Sequence, residues 1–164
     1  MTYLRPLSGL CALLLSGCGP SEPVTLNPDQ HIYVGTWQHL FSQQNDQYQK
    51  INNVVLRINP DSSAYYMRCQ LVAEGYDASD DSYKCFARVS VTLPSAQVIR
   101  LEPNLIELEQ NVEWFHFDYE LDISTPINSN GDWTMTVDKT QPTRVDDDAA
   151  VDISNRNCPA PKAE

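Results

Sequence analysis

Five cysteines and three histidines are the side chains of this chain best suited to chemistry, and their spacing limits what they can do. His31, His39 and His116 fit no zinc signature, and no carboxylate or cysteine stands at metal-ligand spacing around them. His116 shares a strand face with Trp114, Asp118 and Glu120, a pattern that reads as a solvated polar face. The acidic stretches Asp77 to Asp81 and Asn128 to Asp132 invite comparison with calcium loops. The second lacks the distal Glu of such a loop, and its Asn130-Gly131 pair is explained by a hairpin turn. Gly-x-Ser-x-Gly, Ser-x-x-Lys, His-Glu-x-x-His and phosphate-cradling glycine loops do not occur. Cys158 lies in a polar tail with no base beside it, a poor setting for a nucleophile. The residues therefore point to a non-enzymatic protein without catalytic residues, metal or cofactor.

Position gives Cys18 a different meaning. Residues 1–17 have the parts of an export signal: a short start with one cation, Arg5, an apolar run from Leu7 to Leu15, and small residues at the end. The run is about 9 residues long, roughly half the hydrocarbon core of a bilayer if helical, so it is too short to be a spanning anchor. The ending Leu15-Ser16-Gly17-Cys18 resembles the lipobox of bacterial lipoproteins. The resemblance implies that lipid is added to the Cys18 sulfur and that cleavage follows Gly17. Cys18 then becomes the acylated N-terminus and Cys11 leaves with the signal. Gly19, where an Asp would retain such proteins at the inner membrane, implies an outer-membrane location facing the periplasm. Several acyl chains at about 0.8 kcal/mol per buried methylene hold a protein durably.

Composition narrows the partners. The formal net charge is −11 at pH 7, and loss of Arg5 makes the mature chain more acidic still. Nucleic acid and anionic head groups would repel it. A basic partner, a cationic ligand or plain solubility is compatible with it. What remains after the signal is one domain's worth of chain.

The elements that must position any site follow from a period of two. Val54, Leu56 and Ile58 alternate with Val55 and Arg57; Tyr65, Met67, Cys69, Leu71 and Ala73 form the apolar face opposite Tyr66, Arg68 and Gln70. The same holds from Cys85 to Leu93, from Phe115 to Ile123 and from Trp133 to Val137. Asn, Asp, Pro and Gly fall between the runs. Strands are expected near 33–42, 48–59, 63–74, 83–93, 97–102, 104–110, 112–123, 132–138 and 141–145. The fold class is all-β, an antiparallel up-and-down barrel of about eight strands over 31–145, with a two-layer β-sandwich as the alternative. Residues 18–30, with Pro20, Pro23 and Pro28, read as a flexible tether after the lipidated cysteine. Residues 146–164 read as an acidic tail.

An oxidising compartment makes a disulfide the default for two of Cys69, Cys85 and Cys158. Cys69 and Cys85 are equidistant from Asp77, so a hairpin centred there sets them opposite one another. Closing that loop is worth about 3 kcal/mol in the chain-entropy picture. The alternative pairing uses Cys158 to staple the tail to one of these strands.

Tyr33-Val34-Gly35-Thr36-Trp37 resembles the opening of the lipocalins, where Gly-x-Trp enters the first strand and plugs the closed end of a barrel. The resemblance implies that an Arg of the last strand lies over the Trp, and Arg144 in Thr143-Arg144-Val145 holds that place. The family's Thr-Asp-Tyr loop motif and its long C-terminal helix have no clear counterpart here. Lipid-anchored bacterial members bind fatty acids or lysolipids, so the implied role is an envelope binding module for an apolar small ligand. The alternative is an acidic interaction lipoprotein of the inhibitor, immunity or assembly-accessory type, binding a basic envelope protein through Asp118, Glu120, Asp122 and Asp146 to Asp148.

Overall fold

Strand-forming residues in alternation, separated by turn residues too close together for helices, commit this chain to hydrogen bonding between neighbours. The computed structural model describes residues 20–44, 48–77, 82–112 and 115–150. A 3-10 helix, Pro28–Tyr33, leads into β1 (Gly35–Gln44), β2 (Tyr48–Ile58), β3 (Ser63–Asp77) and β4 (Ser82–Glu102). β5 (Leu105–Val112), β6 (Phe115–Asp122), β7 (Ile127–Ser129), β8 (Asp132–Thr134) and β9 (Thr143–Val145) follow. All pairings are antiparallel, in one sheet ordered β6-β5-β4-β3-β2-β1-β9-β8-β7. The protein is thus all-β, a single curled half-barrel of the up-and-down kind and not a two-layer sandwich.

The curl comes from register irregularities concentrated on β3 and β4. Pairing slips between Ala64 and Tyr66, Arg68 and Cys69, and Glu74 and Tyr76 on β3, and between Val98 and Arg100 on β4. Each extra residue bends the strand and increases its twist. Pro94 divides this region into two strands at the level of sequence; the structure runs one strand through it. Pro94 is tolerated because it falls inside a slip, between Leu93 opposite Tyr66 and Ala96 opposite Ala64. The slip at Arg68 also exchanges faces: Val91 lies opposite Arg68, whereas Val89 lies opposite Cys69.

This register corrects the expected cysteine geometry. Cys85 is opposite Ala73 and Cys69 is opposite Val89, four residues apart along the ladder. At about 3.4 Å per residue, that separation is well beyond the reach of a disulfide. Cys18 and Cys158 lie outside the described residues.

The concave face carries the main core, including Trp37, Leu56, Ile58, Tyr66, Ile106, Leu108 and Leu121, all fully buried. Against expectation, the more apolar face of β3 is the convex one. Met67, Cys69 and Leu71 form a second buried cluster there with Val55, flanked by Ile51 and Tyr65.

Among the described residues, the sheet's two edges meet at one end. Ile123 bridges Val137, the Asp138 N–H donates to the Asp122 carbonyl at 2.9 Å, and the Ser124 N–H donates to Thr136 at 3.1 Å. β7 and β8 are joined through Asn130 and Gly131, both at positive φ as a two-residue hairpin turn requires.

The described residues of both flanking segments, 20–34 and 146–150, are docked rather than loose. Leu26 is buried in the core, and the Val24 N–H donates to the Val98 carbonyl at 2.9 Å. Asn27 and Gln30 form a capping box with Pro28 in the first turn, and Gln30 Nε2 donates to the Leu101 carbonyl at 2.7 Å. From residue 20 onward the expected tether is therefore part of the domain, because its apolar residues cover the closed end. At the other terminus Asp147 accepts a hydrogen bond from Thr36 Oγ1 and lies 3.5 Å from Arg57 Nε.

The Glu109 carboxylate anchors the N-terminal segment, accepting the Ser21 N–H at 3.0 and 3.2 Å and Asn111 Nδ2 at 2.9 Å. The bond from the Ser21 backbone, chiefly, holds its pKa below the usual carboxyl value. Stability from a depressed carboxyl is present above its unfolded pKa and is lost as pH falls through the folded one. Hydrogen-exchange protection factors over residues 21–26, corrected for the intrinsic rate at each pH, are expected to fall on acidification and in Glu109→Gln at neutral pH. Unchanged exchange in that variant would show that the segment is held by other means.

Candidate functional site

The floor of the half-barrel is built around one cation. Gly35 begins β1 at φ +131°, a conformation glycine adopts without strain. A Cβ there would stand 3.2 Å from Arg144 Nε, so glycine is also needed for the close approach of that side chain. Trp37 follows, fully buried, with Nε1 donating to the Tyr33 carbonyl at 2.8 Å. β9 pairs Arg144 directly with Trp37. The guanidinium carbon lies 4.6 Å from the Trp37 ring and 5.1 Å from the Trp133 ring, so the cation is shared by two indoles. One terminal nitrogen donates to the Ile32 carbonyl, tying the 3-10 helix to the floor. Among the described residues Arg144 Nε is buried without a hydrogen-bond partner, and desolvation lowers the guanidinium pKa. Gly35, Trp37 and Arg144 thus come together as the sequence places them; Trp133 joins them unannounced.

Above this floor the concave face opens into a cavity of about 500 Å³. The register builds its wall in rungs: His39, Val54, Arg68 and Val91 in one, Phe41, Asn52 and Gln70 in the next. Tyr119 of β6 and Thr140 close the far side. Gln70 Nε2 donates to Asn52 Oδ1 at 2.8 Å, and His39 Nδ1 lies 3.2 Å from the Gln141 carbonyl, where its N–H would donate. Arg68 reaches Asp138 at 3.9 Å, while Asp138 also accepts the Tyr66 hydroxyl at 3.4 Å and the Asp122 N–H at 3.2 Å. Burial first, and the Asp138 charge second, push the Tyr66 phenol well above its ordinary pKa. Toward the open end, Phe41, Val112 and Phe117 are 49%, 53% and 58% exposed. Alternation from Leu108 and Tyr119 places Val112 and Phe117 on the concave face with Phe41. Of these, Phe41 lines the hollow, and a half-exposed aromatic in a cavity wall suits a binding surface. Together these groups offer apolar contact, hydrogen bonds and one permanent positive charge.

The remaining candidates lie elsewhere. His31 is exposed in the 3-10 helix, and His116 is exposed with Nδ1 against Asn111 Oδ1. Among the described residues no three His, Cys, Asp or Glu side chains converge as metal ligands. The convex face of β5 and β6 sets Glu107 opposite Glu120 and Glu109 opposite Asp118. Sequence reasoning missed Arg68, Gln70 and Asp138, because polar residues in alternation read as a water-facing side. The overlooked signal was Arg68 two residues from Tyr66, an aromatic too large to leave exposed. Comparison with protein-family models, curated proteins and solved structures finds no match.

The floor carries a stability prediction. Gly35→Ala is expected to cost about 1–3 kcal/mol through strain at positive φ and contact with Arg144. Arg144→Lys, keeping charge but losing the planar stack, is expected to cost about 1–2 kcal/mol. Urea unfolding measures both; midpoints equal to wild type would remove the floor from its structural role.

Proposed function

We propose that the chain is a cell-envelope lipoprotein held by an acylated Cys18, whose half-barrel is a non-enzymatic binding module for a small ligand with an apolar part. The observation that carries this reading is the hollow of about 500 Å³ above the Trp37 floor, with Phe41, 49% exposed, at its rim. A packed interior would need no such rim. The Gly35-Thr36-Trp37 and Arg144 arrangement supports the likeness to lipocalins on which the expectation of an apolar ligand rests. A second reading, an acidic surface for a basic partner, draws on the like charges set opposite one another on β5 and β6. Such pairs cost stability unless something neutralises them. Binding of that kind weakens as salt screens it, unlike uptake of a neutral ligand into the hollow.

Two experiments test the first reading. Metabolic labelling with a palmitate analogue is expected to mark the wild-type chain and not Cys18→Ala; no label, or equal label, ends the anchor proposal. The full chain with Cys18→Ser, titrated with the neutral probe N-phenyl-1-naphthylamine, is expected to give saturable fluorescence. The double variant Phe41→Ser, Phe117→Ser is expected to weaken uptake several-fold. Absence of uptake at micromolar probe would mean that the hollow binds no apolar group.

A further inference from the structure

We propose that the C-terminal residues 151–158, which lie outside the described residues, dock on the convex face of β2 and β3 and close it to solvent. Neither the hollow nor the lipid anchor enters into this; burial carries it. On that face Val55, Asn53, Met67, Cys69 and Leu71 are all 5% exposed or less. Among the described residues, their apolar cluster draws its members from β2 and β3 alone. Side chains on one face of a single sheet shield one another sideways but not from above, so exposure near zero needs a cover. Neighbouring positions show what the open convex face is like. Leu40, opposite Asn53 in the same rung, is 48% exposed, and Asp118 and Glu120 of β6 are exposed as well. The cover is therefore local to β2 and β3 and does not follow from the curl of the sheet.

The end of the described chain points to the occupant. Asp147 takes the Thr36 hydroxyl and lies 3.5 Å from Arg57 Nε, and its carbonyl accepts from Arg57 Nη2 at 3.4 Å. Thr36, Arg57 and Tyr65 form the convex rung next to Val55 and Met67. Residues 146–149 are exposed and Ala150 is half-buried, so the chain is turning toward the protein at that point. From Arg57 to the rung of Ile51 and Leu71 is six residues of β2, about 20 Å at 3.4 Å each. The eleven residues from Asp147 to Cys158 reach about 36 Å when extended, which spans the patch with slack. Val151 and Ile153 supply the bulky aliphatic side chains that such a face requires. The N-terminal segment sets out from elsewhere, since Ser21 is held on Glu109 of β5, two strands from β3. A second copy is disfavoured because two chains of net charge −11 repel. Docked in this way, the tail withdraws the convex patch from ligands and partners and leaves the concave side open to them.

The test uses the full Cys18→Ser chain with p-benzoylphenylalanine in place of Ile153, irradiated and mapped by mass spectrometry. Cross-links are expected within one chain, to residues 51–57 or 65–71. In parallel, methyl NMR with a soluble gadolinium chelate reads exposure directly. The methyls of Val55, Met67 and Leu71 are expected to be shielded in the parent chain, with Leu40 as the exposed reference. Their relaxation enhancement is expected to rise several-fold in the double variant Val151→Ser, Ile153→Ser. Cross-links elsewhere in the chain, cross-links between two copies, or none would overturn the proposal. So would methyls that stay shielded in the double variant, since something other than the tail would then cover them. Should that variant fail to fold, the cross-link map and the parent methyls decide: methyls as open to the chelate as Leu40 would overturn the proposal. Uptake of N-phenyl-1-naphthylamine by the hollow is independent of these outcomes, so the binding-module reading stands or falls separately.

Discussion

A single guanidinium held between two indoles determines how this sheet ends. Arg144 of β9 lies over Trp37 of β1 and Trp133 of β8, and also holds the carbonyl of Ile32 in the leading 3-10 helix. A desolvated cation–π contact is worth about 2 kcal/mol, and a buried donor without a partner costs about 1–3 kcal/mol. The two terms nearly offset, so the arrangement acts less as a store of stability than as a fixed point. It brings the first strand, the last strands and the leading helix to one place. Gly35 follows as a consequence, since a side chain there would press on the cation.

With one end pinned, the slips along β3 and β4 decide the rest. They curl the sheet until its edges meet through Ile123 and Val137, yet leave it open toward the far ends of β1, β5 and β6. The packed half supplies the core; the open half supplies a hollow whose wall sets Arg68, Asn52 and Gln70 beside Phe41. Packed core and open hollow are thus divided along the barrel axis, and side chains in the open half are released from the demands of close packing. That release explains how Arg68, Asn52 and Gln70 come to face inward.

Much of the fold was legible. Alternation marked most of the strands, the Asn130-Gly131 pair marked its hairpin, and Gly35, Trp37 and Arg144 marked the floor. Four features were not, each for a physical reason. Period two reports burial but not the side on which it occurs, and β3 buries Met67, Cys69 and Leu71 on its convex face. The acidic stretch around Asp77 does not show where the chain turns: Asp77 pairs with Ser82, so the hairpin centres beyond Asp77 and the symmetric spacing of Cys69 and Cys85 about that residue missed the register by four residues. Prolines in residues 20–30 read as a loose tether, although Pro28 starts a helix and Leu26 packs into the core. Arg68 escaped notice because the face it shares with Tyr66 resembles one turned to water.

The central claim is that the concave, open half of the sheet is where this protein meets its ligand. Two-dimensional NMR of the Cys18→Ser chain, with and without saturating dodecanoate, tests it most directly. Shifts confined to Phe41, Val54, Arg68, Val91 and Tyr119, with Val98 and Ile106 of the packed half unmoved, are the predicted result. Shifts centred on the convex residues Val55, Met67 and Leu71, or none at all, would contradict it.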